Sequence, residues 1–378
     1  MCGIVGYIGR RDATPVLVEG LHRLEYRGYD SAGLAIIHRG RLQITKTAGR
    51  VQDLRDKLDA KQTKATIGIG HTRWATHGEP NDTNAHPHTD TQHRVAVVHN
   101  GIIENADALR AQLTADGVTF VTETDTECLA HMVAAQLAKA ELNGNEDLSL
   151  EEAVIATLRG VEGTYGLVVL DTKNPDQLVV ARNGSPIVLG LGESEMFVAS
   201  DVAALVRYTR QVIYLEDGEV ATIKATDYHT TTLSGSADNS NNHRTPTTVD
   251  ADADDYELGA YSDYMRKEIH EQPDAIRRAV MGRLDERFAT AKLGGVNLDA
   301  RELRNIKRVK FLGCGSAYYA GQMGANLVEE LARIPADAEP ASEFRYRSPV
   351  VDPDALYVAV SQSGETSDTL MAVQELKR

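Results

Sequence analysis

Stacked β-sheets covered by helices, followed by a second domain of α/β type, is the fold class this sequence predicts. Three observations carry that expectation. Short apolar stretches crowd the chain before Ser234, and helical periodicity is confined to their flanks. From Ser234 to Asp255 the composition falls to Ser, Asn, Thr, Asp and Ala with almost nothing to bury, so it reads as a flexible linker. Past the linker, two strand–loop–helix units recur in the manner of parallel strands. The expected domains are therefore 1–233, a linker at 234–255, and 256–378.

In chain order, Ile4 to Ile8 is an apolar run that reads as a buried strand. Thr14 to Leu24 follows with helical spacing of Val16, Leu17, Leu21 and Leu24, and runs into a turn-like segment ending at Gly33. Leu34–His38 and Leu42–Thr45 read as paired strands. Thr66–His71 and Arg94–His99 are short apolar strands, each delivering a polar cluster at its C-terminal end. Helices are expected at Ala106–Leu113, Thr126–Leu137 and Leu150–Leu158. Closely spaced strands follow at Tyr165–Leu170, Leu178–Ala181, Ile187–Leu189, Met196–Ala199, Val212–Leu215 and Val220–Lys224. In the second domain a helix over Tyr261–Gln272 is expected to break at Pro273 and resume over Asp274–Leu284. Strand Arg308–Leu312 leads through Gly313-Cys314-Gly315-Ser316 into a helix, and strand Leu356–Val360 leads through Ser361–Thr366 into another.

Composition excludes several classes. A formal net charge of −15 argues against nucleic acid or an anionic membrane as partner. No apolar run approaches the roughly 18–20 residues of a membrane span, and no signal peptide is recognisable, because Arg10 and Arg11 follow the apolar stretch. Cys2, Cys128 and Cys314 are odd in number and far apart, which fits free thiols in a reducing cytoplasm.

Cys2 organises the chemistry. Removal of Met1 leaves a residue carrying both a thiol and a free α-amine, and an amine titrating at about 7.7–8.0 can take the thiol proton near neutral pH. The plain alternative is a buried cysteine near a chain end. A cysteine attacking a carboxamide needs an oxyanion hole, a substrate clamp and a lid against water. The stretch His71–Pro80 offers Arg73, whose planar fork suits a carboxylate, or else a surface ion pair. In His99–Asn105 the Asn100 amide and the Gly101 N–H could converge on a developing oxyanion, although Asn-Gly is also a common turn. Asp125 opens a helix, either as N-cap or as counter-charge to an ammonium. Trp74 is core or lid, its Gly/Pro-bounded loop favouring the lid. Cys128 reads as core. His71, His77, His86, His88 and His99 lack the spacing of a structural zinc site, so no metal and no cofactor are expected.

These blocks together resemble the glutaminase domain of the glutamine–fructose-6-phosphate aminotransferase family. They are Cys2–Gly6, Leu24–Gly33, His71–Pro80, Val98–Asn105 and Glu123–Glu127, and the resemblance runs in order from Cys2 to the linker. Its first motif is shared with other N-terminal-nucleophile amidotransferases; the His71–Pro80 and Val98–Asn105 blocks are more specific. The resemblance implies an N-terminal-nucleophile hydrolase sandwich, αββα with stacked antiparallel sheets, then a partial α/β sugar-isomerase domain with a parallel sheet. It implies that Cys2 attacks glutamine, Asn100 and Gly101 form the oxyanion hole, and Arg73, Thr76 and His77 hold the α-carboxylate. Asp125 then holds the α-ammonium, Arg27 and Gly28 line the nucleophile's pocket, and Trp74 keeps ammonia from solvent.

In the second domain both strand-end loops meet helix N-termini, an anion site by geometry, without the lysine or glycine spacing of nucleotide-binding loops. The family resemblance makes them sugar-phosphate loops, through Cys314, Gly315 and Ser316 in the first and Ser361, Gln362, Ser363 and Thr366 in the second. Ala317 departs from the serine common in relatives. The sheet supplied is small, so the chain is expected to be a fragment whose second domain is marginal alone. The implied partners are glutamine and fructose-6-phosphate, with a homodimer formed through the isomerase domain. Another amidotransferase, or a non-catalytic sugar-phosphate sensor, are the competing readings.

Overall fold

The computed structural model describes residues 2–59, 64–74, 78–144, 148–234, 245–249, 259–285, 287, 290–291, 296, 298, 300–362, 364 and 366–377. It divides into two compact units, Met1–Gly259 and Ala260–Arg378.

The uncharged run after Cys2 becomes β1 (Gly3–Ile8), buried on both faces. Then come α1 (Ala13–Arg23), β2 (Ser31–His38), β3 (Arg41–Ala48), α2 (Val51–Asp59), β4 (Ile67–Arg73), β5 (His88–Thr89) and β6 (Val95–Ile103). Helices α3 (Ala106–Ala115), α4 (Thr126–Leu142) and α5 (Leu150–Leu158) follow. Asp12 caps α1, and a Ser149/Glu152 capping box starts α5, so each helix begins where a side chain meets its orphan N–H groups. The remaining strands of the unit are β7 (Gly163–Asp171), β8 (Leu178–Asn183), β9 (Val188–Gly192), β10 (Glu195–Ala199), β11 (Gln211–Tyr214), β12 (Glu219–Ile223), β13 (Tyr228–Thr232) and β14 (Thr247–Thr248).

Two antiparallel sheets result. One is eight-stranded, β14-β11-β9-β10-β1-β4-β2-β3, and the other six-stranded, β13-β12-β8-β7-β6-β5. Three apolar clusters define four layers. Ile4, Ile69, Val98, Val168, Val180 and Val198 fill the space between the sheets. Val5, Tyr7, Leu17 and Leu21 pack the first sheet against α1, and Val97, Cys128, Leu129 and Val154 pack the second against its helices. Period-two alternation explains the sorting: even residues of β1 face the other sheet and odd residues face the helix. Cys128 is core, its thiol pushed up to about 11 by burial.

One sequence expectation needs correction here. Thr247–Thr248, inside the stretch read as linker, pairs with Gln211 and Val212 and extends the first sheet. A short polar segment can satisfy a sheet edge through its backbone, here joined by the Gln211 amide donating to Thr248 Oγ1 at 2.8 Å, so composition does not betray it. Most of that stretch, 235–244 and 250–255, lies outside the described residues.

The second unit contains α6 (Tyr264–Val280), β15 (Leu284–Asp285), β16 (Thr290–Ala291), α7 (Ala300–Asn305), β17 (Arg308–Gly313), α8 (Ser316–Ala332), β18 (Ala336–Pro340), α9 (Ala341–Tyr346), β19 (Ala355–Ala359) and α10 (Ser367–Lys377). The expected break at Pro273 is absent: α6 runs through it. A proline forfeits one intrahelical bond, and α6 is exposed along most of its length, so the carbonyl left over can turn to water. The helix instead ends at Val280, and Leu284 belongs to the β15–β16 hairpin. β17 lies between β18 and β19, parallel to both.

Candidate active site

Strand alternation builds the site before any side chain is considered individually. On β4, Ile67 and Ile69 point between the sheets, so His71 and Arg73 follow them onto the same face. On β6, Ala96 and Val98 do likewise, which brings Asn100 inward. β1 pairs with β4 in the register Gly3↔Thr72 and Ile4↔His71, setting Cys2 beside Arg73 and Trp74. Polar residues from two sheets thus meet at one end of an aliphatic layer.

The Cys2 thiol lies against the backbone of Trp74, whose N–H donates to Sγ at 3.2 Å. Burial nevertheless raises the thiol above its ordinary value, against the lowering pull of that bond and of Arg73, so it rests as S–H and needs a base. Arg73 is buried, not a surface ion pair, and donates to the carbonyls of Gly78 and Glu79 at 3.3 Å each. Asp125, Arg73, Trp74, Gly101 and Thr126 line one pocket with Cys2. Asp125 does not cap α4 with its side chain; its Oδ2 accepts the Ile103 N–H at 2.9 Å, holding the end of β6.

Asn100 reaches across the sheets. Its Nδ2 donates to the Cys2 carbonyl at 3.1 Å, leaving the second amide hydrogen uncommitted by that bond. Gly101 adopts φ +131°, and a Cβ there would stand 2.0 Å from the Thr164 carbonyl oxygen, so only glycine fits. Gly28 is required for another reason: a Cβ would press to 2.8 Å from the Arg73 carbonyl carbon, displacing the backbone that presents Trp74 N–H.

In the second unit the loops after β17 and β19 are neighbours, because Val360 N–H donates to the Leu312 carbonyl at 2.8 Å. Gly315 precedes α8, whose first residue is Ser316. Thr369 of α10 donates to Cys314 Sγ at 3.6 Å, and Ser361 Oγ accepts the Gly364 N–H at 2.9 Å, closing the second loop on itself.

A glutamine amidotransferase domain model matches residues 71–207, and a SIS domain model matches residues 302–378. The isomerizing glutamine–fructose-6-phosphate aminotransferase of Symbiobacterium thermophilum is 48% identical over 377 residues, and that of Chlorobaculum tepidum 44% over 380. Both alignments take in 100% of this chain. Along its whole length the chain is similar to isomerizing glutamine–fructose-6-phosphate aminotransferases. It spans 60% of the length of those curated relatives. Among solved structures, the glutamine phosphoribosylpyrophosphate amidotransferase from B. subtilis superposes with a TM-score of 0.53 at 20% identity, covering 93% of this chain and 69% of its own. That likeness supports the fold: the first unit is a sandwich of two antiparallel sheets between helices.

Around Cys2, the residues expected from sequence divide into three groups. Cys2, Arg73, Trp74, Asn100, Gly101 and Asp125 come together. Arg27 and Gly28 stand behind the pocket: Arg27 is buried and bonded to Asp201 Oδ2 and the Ser200 carbonyl, bracing the strand that carries Cys2 through Ser200 Oγ and Ile4 N–H. Thr76, His77 and Ser363 lie outside the described residues. Trp74 is 44% exposed and meets Tyr29 edge-on at 5.6 Å, so it belongs to the rim, not the core; Tyr29 was not anticipated. His71, His86, His88 and His99 are fully buried, and desolvation pushes all four down, so they are neutral. Among the described residues no His, Cys, Asp or Glu cluster is arranged to hold a metal. A larger groove of about 830 Å³ between β3 and α4 is lined by no cysteine or serine; Arg41 is among its lining residues, and its Arg94 and Lys173 are paired with Asp171 and Glu141. No helix among the described residues is long and apolar enough to cross a membrane.

Proposed function

We propose that the first unit hydrolyses glutamine through Cys2 and that the nitrogen is destined for fructose-6-phosphate, as the names of the curated relatives state for those proteins. Once Met1 is removed, the Cys2 α-amine takes the thiol proton, and sulfur attacks the side-chain carboxamide. The C–S bond forms, and the oxyanion is met by the Asn100 Nδ2 and Gly101 N–H groups. The amine returns the proton to the leaving nitrogen, which departs as ammonia, and water then cleaves the thioester to glutamate and free thiol. Arg73, with Thr76 and His77, pairs with the α-carboxylate of glutamine, and Asp125 pairs with its α-ammonium. Trp74 shields the ammonia. Cys314, Gly315, Ser316, Ser361, Gln362, Ser363 and Thr366 hold the sugar phosphate. The working protein is a cytoplasmic homodimer joined through the isomerase-like unit.

The observation that carries this reading is the thiol of a second residue held against the Trp74 N–H, with a buried arginine and a carboxylate lining the same pocket. The test pairs the mass of the purified N-terminus with glutamate release from glutamine. Turnover by a preparation that retains Met1 overturns the mechanism; turnover only after its removal supports it.

A further inference from the structure

His71, His86, His88 and His99 have no part in the chemistry above, yet His86 and His99 line the Cys2 pocket and His71 touches Asn100. His71 Nε2 lies 3.0 Å from Asn100 Oδ1 and 3.1 Å from the His99 carbonyl oxygen. We propose that His71 is a positioning residue for glutamine hydrolysis: its Nε2–H fixes the Asn100 amide with oxygen inward and both amide hydrogens toward Cys2. This rests on the reading of Asn100 as an oxyanion donor.

Both atoms facing Nε2 are acceptors, so Nε2 must carry the hydrogen. The ring is neutral, pushed down to about 3 by burial, and therefore has only one hydrogen to place. Its other nitrogen, Nδ1, is buried without a hydrogen-bond partner among the described residues, tolerable for a lone pair and costly for an N–H. The opposite tautomer would strand a donor at Nδ1 and set three lone pairs against one another at Nε2. The ring is held in place by stacking on His86, centroids 4.2 Å apart at 19°. Turning the Asn100 amide over would oppose two donors at His71 and two acceptors at the Cys2 carbonyl. One imidazole hydrogen thus decides which end of the amide the reacting carbonyl meets. The bond also spans the two sheets, β4 to β6, so it ties the strand carrying Arg73 to the strand carrying Gly101.

The test uses the full chain with three substitutions and their combinations with N100A. Gln places its Nε2 the same number of bonds from Cβ as the imidazole Nε2, whereas Asn reaches only to the Nδ1 position. His71→Gln is expected to keep kcat for glutamate release within about threefold, and His71→Asn and His71→Leu to lower it about 10- to 100-fold with KM changed less than threefold. The γ-aldehyde analogue of glutamate, whose thiohemiacetal oxygen occupies the hole, should lose affinity in parallel with kcat. Combined with N100A, neither H71N nor H71L should lower kcat further. Multiplicative losses, or H71N behaving as wild type, overturn the proposal. Wild-type activity in N100A overturns the oxyanion reading instead, so the two failures are distinct. Nitrogen-15 spectra of the unsubstituted protein add an arm independent of folding: a neutral Nε2–H tautomer from pH 5 to 8 is expected, and an Nδ1–H tautomer or a titrating ring refutes the assignment.

Discussion

The sulfur of Cys2 and the backbone N–H of Trp74 are 3.2 Å apart although 72 residues separate them, and the antiparallel register of β1 and β4 is what joins them. Because the contact is made by main chain, it survives most substitutions of Trp74 itself. The thiol's own resting state then governs reactivity.

Burial raises that thiol, so it stays protonated through neutral pH unless a base is supplied. In protein retaining Met1, where no α-amine adjoins the sulfur, alkylation of Cys2 by iodoacetamide should be slow at pH 7 and accelerate only above the ordinary thiol range. Fast labelling at pH 7 in that form would refute the assigned resting state. Cys2→Ala should abolish both labelling at this position and glutamate release.

Asp125→Asn preserves an oxygen acceptor for the Ile103 N–H while removing the charge. KM for glutamine should rise at least tenfold, with the melting temperature within a few degrees of the parent. An unchanged KM would remove Asp125 from the substrate clamp.

Gly101→Ala forces a side chain into φ +131° and onto the Thr164 carbonyl. Strain of this kind costs about 1–3 kcal/mol before any clash is counted, so thermal stability and glutaminase activity should fall together. An alanine variant as stable and active as the parent would mean the backbone relaxes easily there.

Burial raises the Glu127 carboxyl, but the His131 ring beside it, the N–H groups of Val121 and Thr122 and the Thr122 hydroxyl together hold it down at about 2 against an ordinary 4.5. The folded form therefore binds this proton less readily than the unfolded chain. The stabilisation is present above about pH 4.5 and drains away as pH falls toward 2. Urea midpoints across that window should decline in the parent and decline less steeply in Glu127→Gln; identical slopes would contradict the assignment.

Asp171 is fully buried and bonded to Arg94 at 3.1 Å. Asp171→Ala leaves a largely buried guanidinium short of one partner, and a loss of about 3 kcal/mol is expected from urea denaturation. Glutaminase KM should not move, since neither residue lines the Cys2 pocket.

Local pattern alone determined a good deal here. Alternation in Ile67-Gly68-Ile69-Gly70-His71-Thr72-Arg73 marks a strand with one aliphatic face that turns polar, and the apolar run after Cys2 marks a buried strand. The second unit's two loops were legible because a glycine- or serine-rich turn between a strand and a helix is a local feature. Several of the residue types that line the Cys2 pocket were legible too, at strand ends. What the sequence did not reveal was contact at long range. That Arg27 braces a strand through Asp201 and Ser200, that Asp125 holds Ile103 and does not cap its helix, and that His71 reaches Asn100 across two sheets are all products of register and sheet packing. Histidines spaced along a chain look like ligands or bystanders; only when two sheets stack do their rings find each other and the amide beyond. Residue chemistry is written locally, whereas hydrogen-bond partners depend on which strand lies opposite, a choice made by burial of the whole aliphatic layer.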